Sequence, residues 1–416
     1  MYCVKSYFLS AAMVAVALIL VSCSSSKRET ASPIPTTRTP VAAPPPAPST
    51  LVEPQIRVAI KRAEPEVRLV AGPGGAVLSD LQGQEVGRLV AGQELTIRAA
   101  VGSSAVRVSS PSLARNCNGC VDAKGGGLIR ANGTPLARRI TVWANGAGTL
   151  TTVAWLNLED YLQGVLAGEV PYRRWAPEAL KAQAIVSRSY ALHQMKVRQA
   201  EPYDVETTEA SQVFRLGVGN EPILQRTVKA TRGQVVTCDG KLFSAYFHST
   251  CGGATTAARH VFPSRATAKT LCGANCAFCK ASPAYQWSWQ VSKTELGRRL
   301  GLRLPVIAIE TATDKTGRAE TVRVRYAGGI RTFQGNQFRL LVSSRELKSM
   351  RWTSVQDTGT QFRFEGRGFG HGVGMCQYGS DGMARAGYSC EQILGLYFPG
   401  GELTTLYGTE TAGLTP

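Results

Sequence analysis

The sequence predicts an α+β protein: a β-rich domain with a buried helical segment near its middle. Three observations predict it. Short apolar–polar alternations recur between Gln55 and Val108, the mark of half-buried strands. Leu158, Tyr161, Leu162, Val165 and Leu166 fall at i, i+3, i+4, i+7 and i+8, which gives a helix one apolar face. From Pro177 a second helix carries Ala179, Ala182, Ala184, Ser187, Ser189 and Ala191, small residues on nearly every side, as in a helix packed closely by several neighbours.

The chain has 416 residues and a formal net charge of +18, long enough for a large core and two or three domains at most. Its cations are scattered rather than gathered in a compact run, which argues against nucleic acid as a partner. An anionic cell wall or membrane surface suits the charge better, and the N-terminus agrees. Residues 1–22 read as a lipoprotein signal peptide. Lys5 precedes an apolar stretch from Phe8 to Val21, short for a spanning helix and of signal length. Leu20-Val21-Ser22-Cys23 resembles a bacterial lipobox, so Cys23 is the expected lipidation site. An uncleaved anchor would equally tether the protein. The expected location is the cell envelope, exported and lipid-anchored on the extracytoplasmic face. Residues 23–53, rich in Pro, Ser, Thr and Ala, read as a semi-rigid linker.

Residues 54–125 read as a β-rich N-terminal part, with strands at Ile56–Ile60, Val67–Val70 and Glu94–Arg98 and a turn at Gly72-Pro73-Gly74-Gly75. The first helix then starts at Asn157, a good N-cap, with Asp160 in its first turn. Gly168 is expected to end it and Pro171 to keep it from resuming. Glu169 lies between those stops. The negative end of the helix dipole and a partly buried setting would raise its pKa, and a carboxyl protonated near neutral pH can serve as a general acid. Lys181 and Arg188, seven apart, share one face of the second helix.

Val235–Cys238 and Lys241–His248 flank Asp239-Gly240, a strong hairpin signal. Cys251-Gly252-Gly253 follows His248, and bare glycine backbone suits either close approach to a ligand or a plain loop. Cys272, Cys276 and Cys279, with Cys251, suit a zinc site by spacing or disulfides by export; export favours disulfides. Trp287 and Trp289 alternate in a strand, and Ser292 with Glu295 marks a helix start. Glycines at 366, 368, 370, 372 and 374 would share one flat strand face, with His371 on the other. Short helices are expected near Phe338, near Met383 and from Ile393 to Tyr397.

Taken in order, LNLEDYLQGVLAGEVP with APEALKAQAIVSRSYAL, SQVFRLG, AYFHSTCGGAT and GFGHGVGMCQYGSDGMARAGYSCEQILGLYFPG resemble the stage II sporulation protein D family, which includes bacterial amidase enhancers. The resemblance covers residues 126–404, a catalytic and glycan-binding domain, and leaves 405–416 as a tail. It implies a peptidoglycan lytic transglycosylase with Glu169 as catalytic acid. Lys181, Arg188, His248, Gly252, Gly253, His371, Gln377 and Tyr378 are the candidate substrate-binding residues. Some family members bind zinc through Cys and His where this chain has Glu206, Ala210 and Ser211, so no metal and no cofactor is carried over. Ordinary glycosidases need two carboxylates, and only one strong candidate is found. A lytic transglycosylase fits that count, because its substrate supplies the nucleophile. The alternative is a non-catalytic glycan-binding enhancer that stimulates a partner N-acetylmuramoyl-L-alanine amidase. Expected partners are therefore peptidoglycan strands, the membrane through the lipid, and an amidase, in cell-wall remodelling during sporulation or division.

Replacing Cys23 tests the placement. Cys23→Ser should block lipidation and move the protein out of the membrane fraction, while wild type should show a lipid-modified Cys23 by mass spectrometry of the mature N-terminus.

Overall fold

A computed structural model describes residues 52–100, 104–263 and 268–408. The expected signal peptide, Cys23 and nearly all of the linker lie outside the described residues, as does the end of the tail. No helix among the described residues is long and apolar enough to cross a membrane.

The alternating N-terminal segments form an eleven-stranded sheet. Gln55–Glu64 pairs antiparallel with Thr149–Asn157, which pairs with Thr134–Asn145, which in turn pairs with Cys120–Ala131. The sheet continues through Glu66–Val70, Glu94–Ala99, Ala105–Ser110 and Leu113–Asn118. A hairpin, Ala76–Ser79 with Glu85–Leu89, joins it through Cys120–Ala131. The expected division at residues 125/126 falls inside that last strand, because the sheet of the N-terminal part extends without a break to Asn157. The inward residues, among them Leu69, Leu95, Ile97, Val108, Val121 and Ile140, form one continuous core.

Helix α1 spans Leu158–Glu169 and α2 spans Pro177–Val197. All five periodic residues of α1 are buried, together with Ile56, Val58, Ala184, Ala191 and Leu224, each leucine, isoleucine or valine among them contributing about 2 kcal/mol of burial. Two details differ from expectation. Asn157 makes no side-chain cap. Glu53 from the preceding segment accepts the Glu159 amide instead, at 2.9 Å, bringing an anion to the positive end of the helix. Gly168 does not end α1, and Glu169 is its last helical residue. Beyond α2, Asp239 and Gly240 both take positive φ, 52° and 68°, in the expected hairpin turn. Its second strand is only Lys241–Leu242; Phe247–His248 pairs elsewhere, parallel to Met375–Cys376.

Residues 286–367 form a separate core of two three-stranded antiparallel sheets and the helices Lys293–Arg299 and Gly335–Val342, built around Trp287, Leu296, Val322, Phe338 and Phe364. The chain then returns through residues 368–374 to the helices Gln377–Arg385 and Cys390–Tyr397 beside α2.

One buried ion pair joins α1 to α2 and to the segments at Gln234 and Tyr407. The Arg188 guanidinium is fully buried and donates to both Glu159 carboxylate oxygens, at 2.9 and 2.7 Å, and to the Gln234 carbonyl at 2.9 Å. Tyr407 Oη donates to the same carboxylate at 2.6 Å. Both ions are bidentate and have further partners, the condition under which a buried pair is tolerated. Removing one partner strands the other charge. Arg188→Met is therefore expected to cost about 3–5 kcal/mol in urea unfolding, and the double variant Arg188→Met, Glu159→Leu should recover most of it.

Candidate functional site

Glu169 ends α1 and its side chain turns towards two other segments. Val213 N donates to Oε1 at 2.6 Å and Gln377 Nε2 donates to Oε2 at 3.4 Å. No lysine or arginine forms an ion pair with it among the described residues. Burial pushes its pKa up from 4.5 to about 7 against the lowering effect of those two hydrogen bonds; exposed Glu209 adds a smaller upward push. The expected direction is thus present, and desolvation rather than the helix dipole is its main cause.

The Val213 contact depends on two glycines of α1. Gly164 and Gly168 stand one turn apart on a single face. A Cβ at Gly164 would lie 2.1 Å from the Phe214 ring, and one at Gly168 would lie 2.3 Å from the Val213 carbonyl oxygen. Residues 213–215 therefore lie directly on the helix backbone, with Arg215 N donating to Gly164 O at 3.1 Å. Phe214 stacks on Tyr161 at 5.3 Å, and Tyr161 Oη bonds the buried Gln212. Sequence reasoning took Gly168 for a helix stop and did not single out Val213. The signal available was the Gly-x-x-x-Gly spacing itself.

Gln377 and Tyr378 reach the same place from the far end of the chain. Tyr378 packs edge-on against Trp175 at 5.7 Å, in the connection between α1 and α2. Its amide donates to Ser249 O at 3.0 Å, and His248 pairs in register with Cys376. Glu169, Gln377, Tyr378 and the segment after His248 thus belong to one connected region.

The other candidates have structural partners. Arg188 holds Glu159 inside the protein and is inaccessible to a glycan, which corrects its expected role. Lys181 is partly exposed and pairs with Glu178 at 2.7 Å, and Glu178 also accepts the Cys390 amide. His248 is buried, with Nδ1 bonded to the Val373 carbonyl at 3.1 Å, and burial holds it neutral. His371 accepts the Val373 amide on Nδ1 at 3.1 Å, and burial with nearby Arg339 lowers its pKa to about 3. Neither histidine is a cation at neutral pH. Gly252 and Gly253 have positive φ, and their missing side chains make room for Arg367 and Arg351, not for open solvent.

The alternating glycines do not form a flat strand face. The strand Gln361–Arg367 takes in Gly366 alone and stops before the other four, and Gly368, Gly370, Gly372 and Gly374 have φ of 86°, 105°, 82° and 69°. Left-handed backbone at every second residue is open to glycine and costly for others. It folds the segment into close contact with Thr250, His248, Arg318 and Tyr246. Cys251, Cys276 and Cys279 come together with Cys376, whereas Cys272 is exposed and outside the cluster. Cys272 is therefore corrected as a pairing candidate, because it is exposed and lies outside the group of buried sulfurs.

The chain is similar in sequence to known proteins. A family model described as Stage II sporulation protein matches residues 146–238, which contain α1, α2 and Val213. An uncharacterized protein of Brachyspira hyodysenteriae is 33% identical over 262 residues, covering 61% of this chain and 68% of that protein. Stage II sporulation protein D of Bacillus subtilis is 29% identical over 265 residues, covering 59% and 74%. The amidase enhancer of Bacillus subtilis is 27% identical over 293 residues, covering 59% of this chain and 40% of that protein. With the Glu169 motif inside the matched segment and the later motifs folded around it, the chain belongs to the stage II sporulation protein D and amidase-enhancer family.

Proposed function

We propose that this protein remodels the cell wall as a peptidoglycan lytic transglycosylase, with Glu169 as general acid and then base. The observation that carries the reading is a carboxyl whose pKa is raised to about 7 by burial, held by two neutral donors and, among the described residues, by no cation. Such a group is substantially protonated at neutral pH and can deliver its proton to a departing glycosidic oxygen. The resulting carboxylate can take the proton of the muramic C6 hydroxyl as that oxygen closes on C1. One carboxyl serves both steps, water is not consumed, and the product is an anhydromuramic end.

The names of two relatives support cell-wall work in sporulation as the setting. The amidase enhancer relative also supports the second reading, in which the domain holds glycan and stimulates a partner amidase without cleaving anything itself. Under either reading the expected placement is the cell envelope, with the charge of +18 favouring anionic wall or membrane material.

The two readings separate on one residue. Glu169→Gln is nearly isosteric and should keep the fold, but it should lower release of anhydro-ended glycan from peptidoglycan by about a hundred- to ten-thousand-fold. Peptide-stripped strands should behave the same way. Wild-type activity should fall as pH rises through about 7, because the acid must carry its proton. Gln377→Leu removes a donor that favours the ionised form, so its falling limb should move to higher pH. If wild type releases no such product on either substrate, yet stimulates an amidase equally well as Glu169→Gln, the enzymatic reading fails and the enhancer reading stands.

A further inference from the structure

Four cysteines from three separate segments of the chain meet in the interior. The Sγ atoms of Cys251, Cys276, Cys279 and Cys376 all lie within 4.8 Å of one another, and Cys251 and Cys279 are 3.5 Å apart. Four thiolates around one ion at about 2.3 Å in a tetrahedron stand about 3.8 Å from one another, so the cluster has the dimensions of a tetrathiolate site. Cys276 and Cys279 supply the C-x-x-C pair common to such sites.

The backbone around the sulfurs is arranged for thiolates. Cys251 N and Gly379 N both point at Cys376 Sγ, at 3.2 and 3.3 Å, and Gly253 N points at Cys251 Sγ at 3.4 Å. Tyr397 Oη lies 3.2 Å from Cys276 Sγ. Glycine is needed at Gly379, where a Cβ would meet Tyr397 Oη at 2.1 Å and Cys276 Sγ at 2.7 Å. Positive φ at Gly252 and Gly253 turns the Cys251 loop so that its amides face the sulfurs.

Charge also favours an ion over two disulfides. Arg318 is buried beside the cluster, donating to Cys251 O at 2.5 Å and Ala254 O at 3.3 Å, while its Nε and Nη1 have no partner among the described residues. Four thiolates with one divalent ion carry a net charge of about −2, which an adjacent guanidinium offsets. Two disulfides are neutral and supply no such counter-charge.

We infer that Cys251, Cys276, Cys279 and Cys376 form a structural zinc site. Soft sulfur donors in tetrahedral array select such an ion, and four protein ligands leave it no open position for catalysis. Its consequence is positional. Cys376 precedes Gln377 and Tyr378, so the ion ties the Cys251 loop and the Cys276–Cys279 loop to the start of the helix that brings Gln377 to Glu169. The site is independent of the catalytic proposal and can fail without it.

Full-length protein isolated from the envelope fraction without chelator should contain one zinc per chain by elemental analysis. Alkylation after denaturation with chelator should find all four thiols free. Cobalt replacing zinc should show thiolate charge-transfer bands and the visible bands of tetrahedral coordination. Cys276→Ser and Cys376→Ser should lose the metal, while Cys272→Ser should retain it in full. The wild-type arms decide even where a serine variant fails to fold. Zinc below about a tenth of an equivalent, with Cys251–Cys279 or Cys276–Cys376 disulfides in the peptide map, would overturn the assignment.

Discussion

The Glu159–Arg188 pair is the interaction on which the rest of the arrangement depends. It fixes the start of α1 to the middle of α2 with both ions inside the protein, and its remaining donors and acceptors reach Gln234 and Tyr407. A buried guanidinium cannot drift, because any displacement leaves it desolvated without a counter-ion. The pair therefore sets the relative placement of the two helices, and with it the short connection in which Val170 and Trp175 are buried. Glu169 inherits its position from that constraint. The charge most visible on α2 in the sequence anchors the site from within rather than reaching out to a substrate.

From this anchor follow the partial burial of Glu169 and its lack of an ion-pair partner among the described residues. Gly164 and Gly168 let residues 213–215 lie on α1 without side chains between them, which brings an amide to one carboxylate oxygen and protein atoms around the rest. Gln377 closes the other side. Both hydrogen bonds favour the ionised form, yet burial outweighs them and the pKa stands near 7. An arginine or lysine in the same place would reverse that balance and hold the carboxyl ionised. The two cations of α2 instead have other partners: Lys181 binds Glu178, and Arg188 binds Glu159.

Much of the fold was legible because it follows local periodicity. The alternation of Val67–Val70 and Glu94–Arg98, the apolar face of α1, the Asp239-Gly240 turn and the helix start at Ser292 all appear where the pattern placed them. Glu169 was legible through its motif. The failures share one cause, which is that partners distant in sequence decide them. A period of two among glycines suggests a strand, but left-handed φ at alternate residues is equally consistent with the letters. Arg188 was expected to bind substrate, but its partner is Glu159, 29 residues away in the chain. Cys376 was not grouped with the other cysteines because it lies far downstream, and only the pairing of His248 with Cys376 brings it back. The exposed Cys272 was grouped with them through proximity in sequence alone.

The central claim is that the Glu169 carboxyl titrates near neutral pH in the folded protein, so that a large share of it carries a proton there. Isotope-edited infrared or carbon NMR titration of the side-chain carboxyl, with Glu169→Gln to assign the signal, measures this directly. The account predicts a midpoint near 7, well above the ordinary glutamate value of 4.5. A midpoint at or below 4.5 would contradict it, since the group would then be a carboxylate at neutral pH and could not act as the acid.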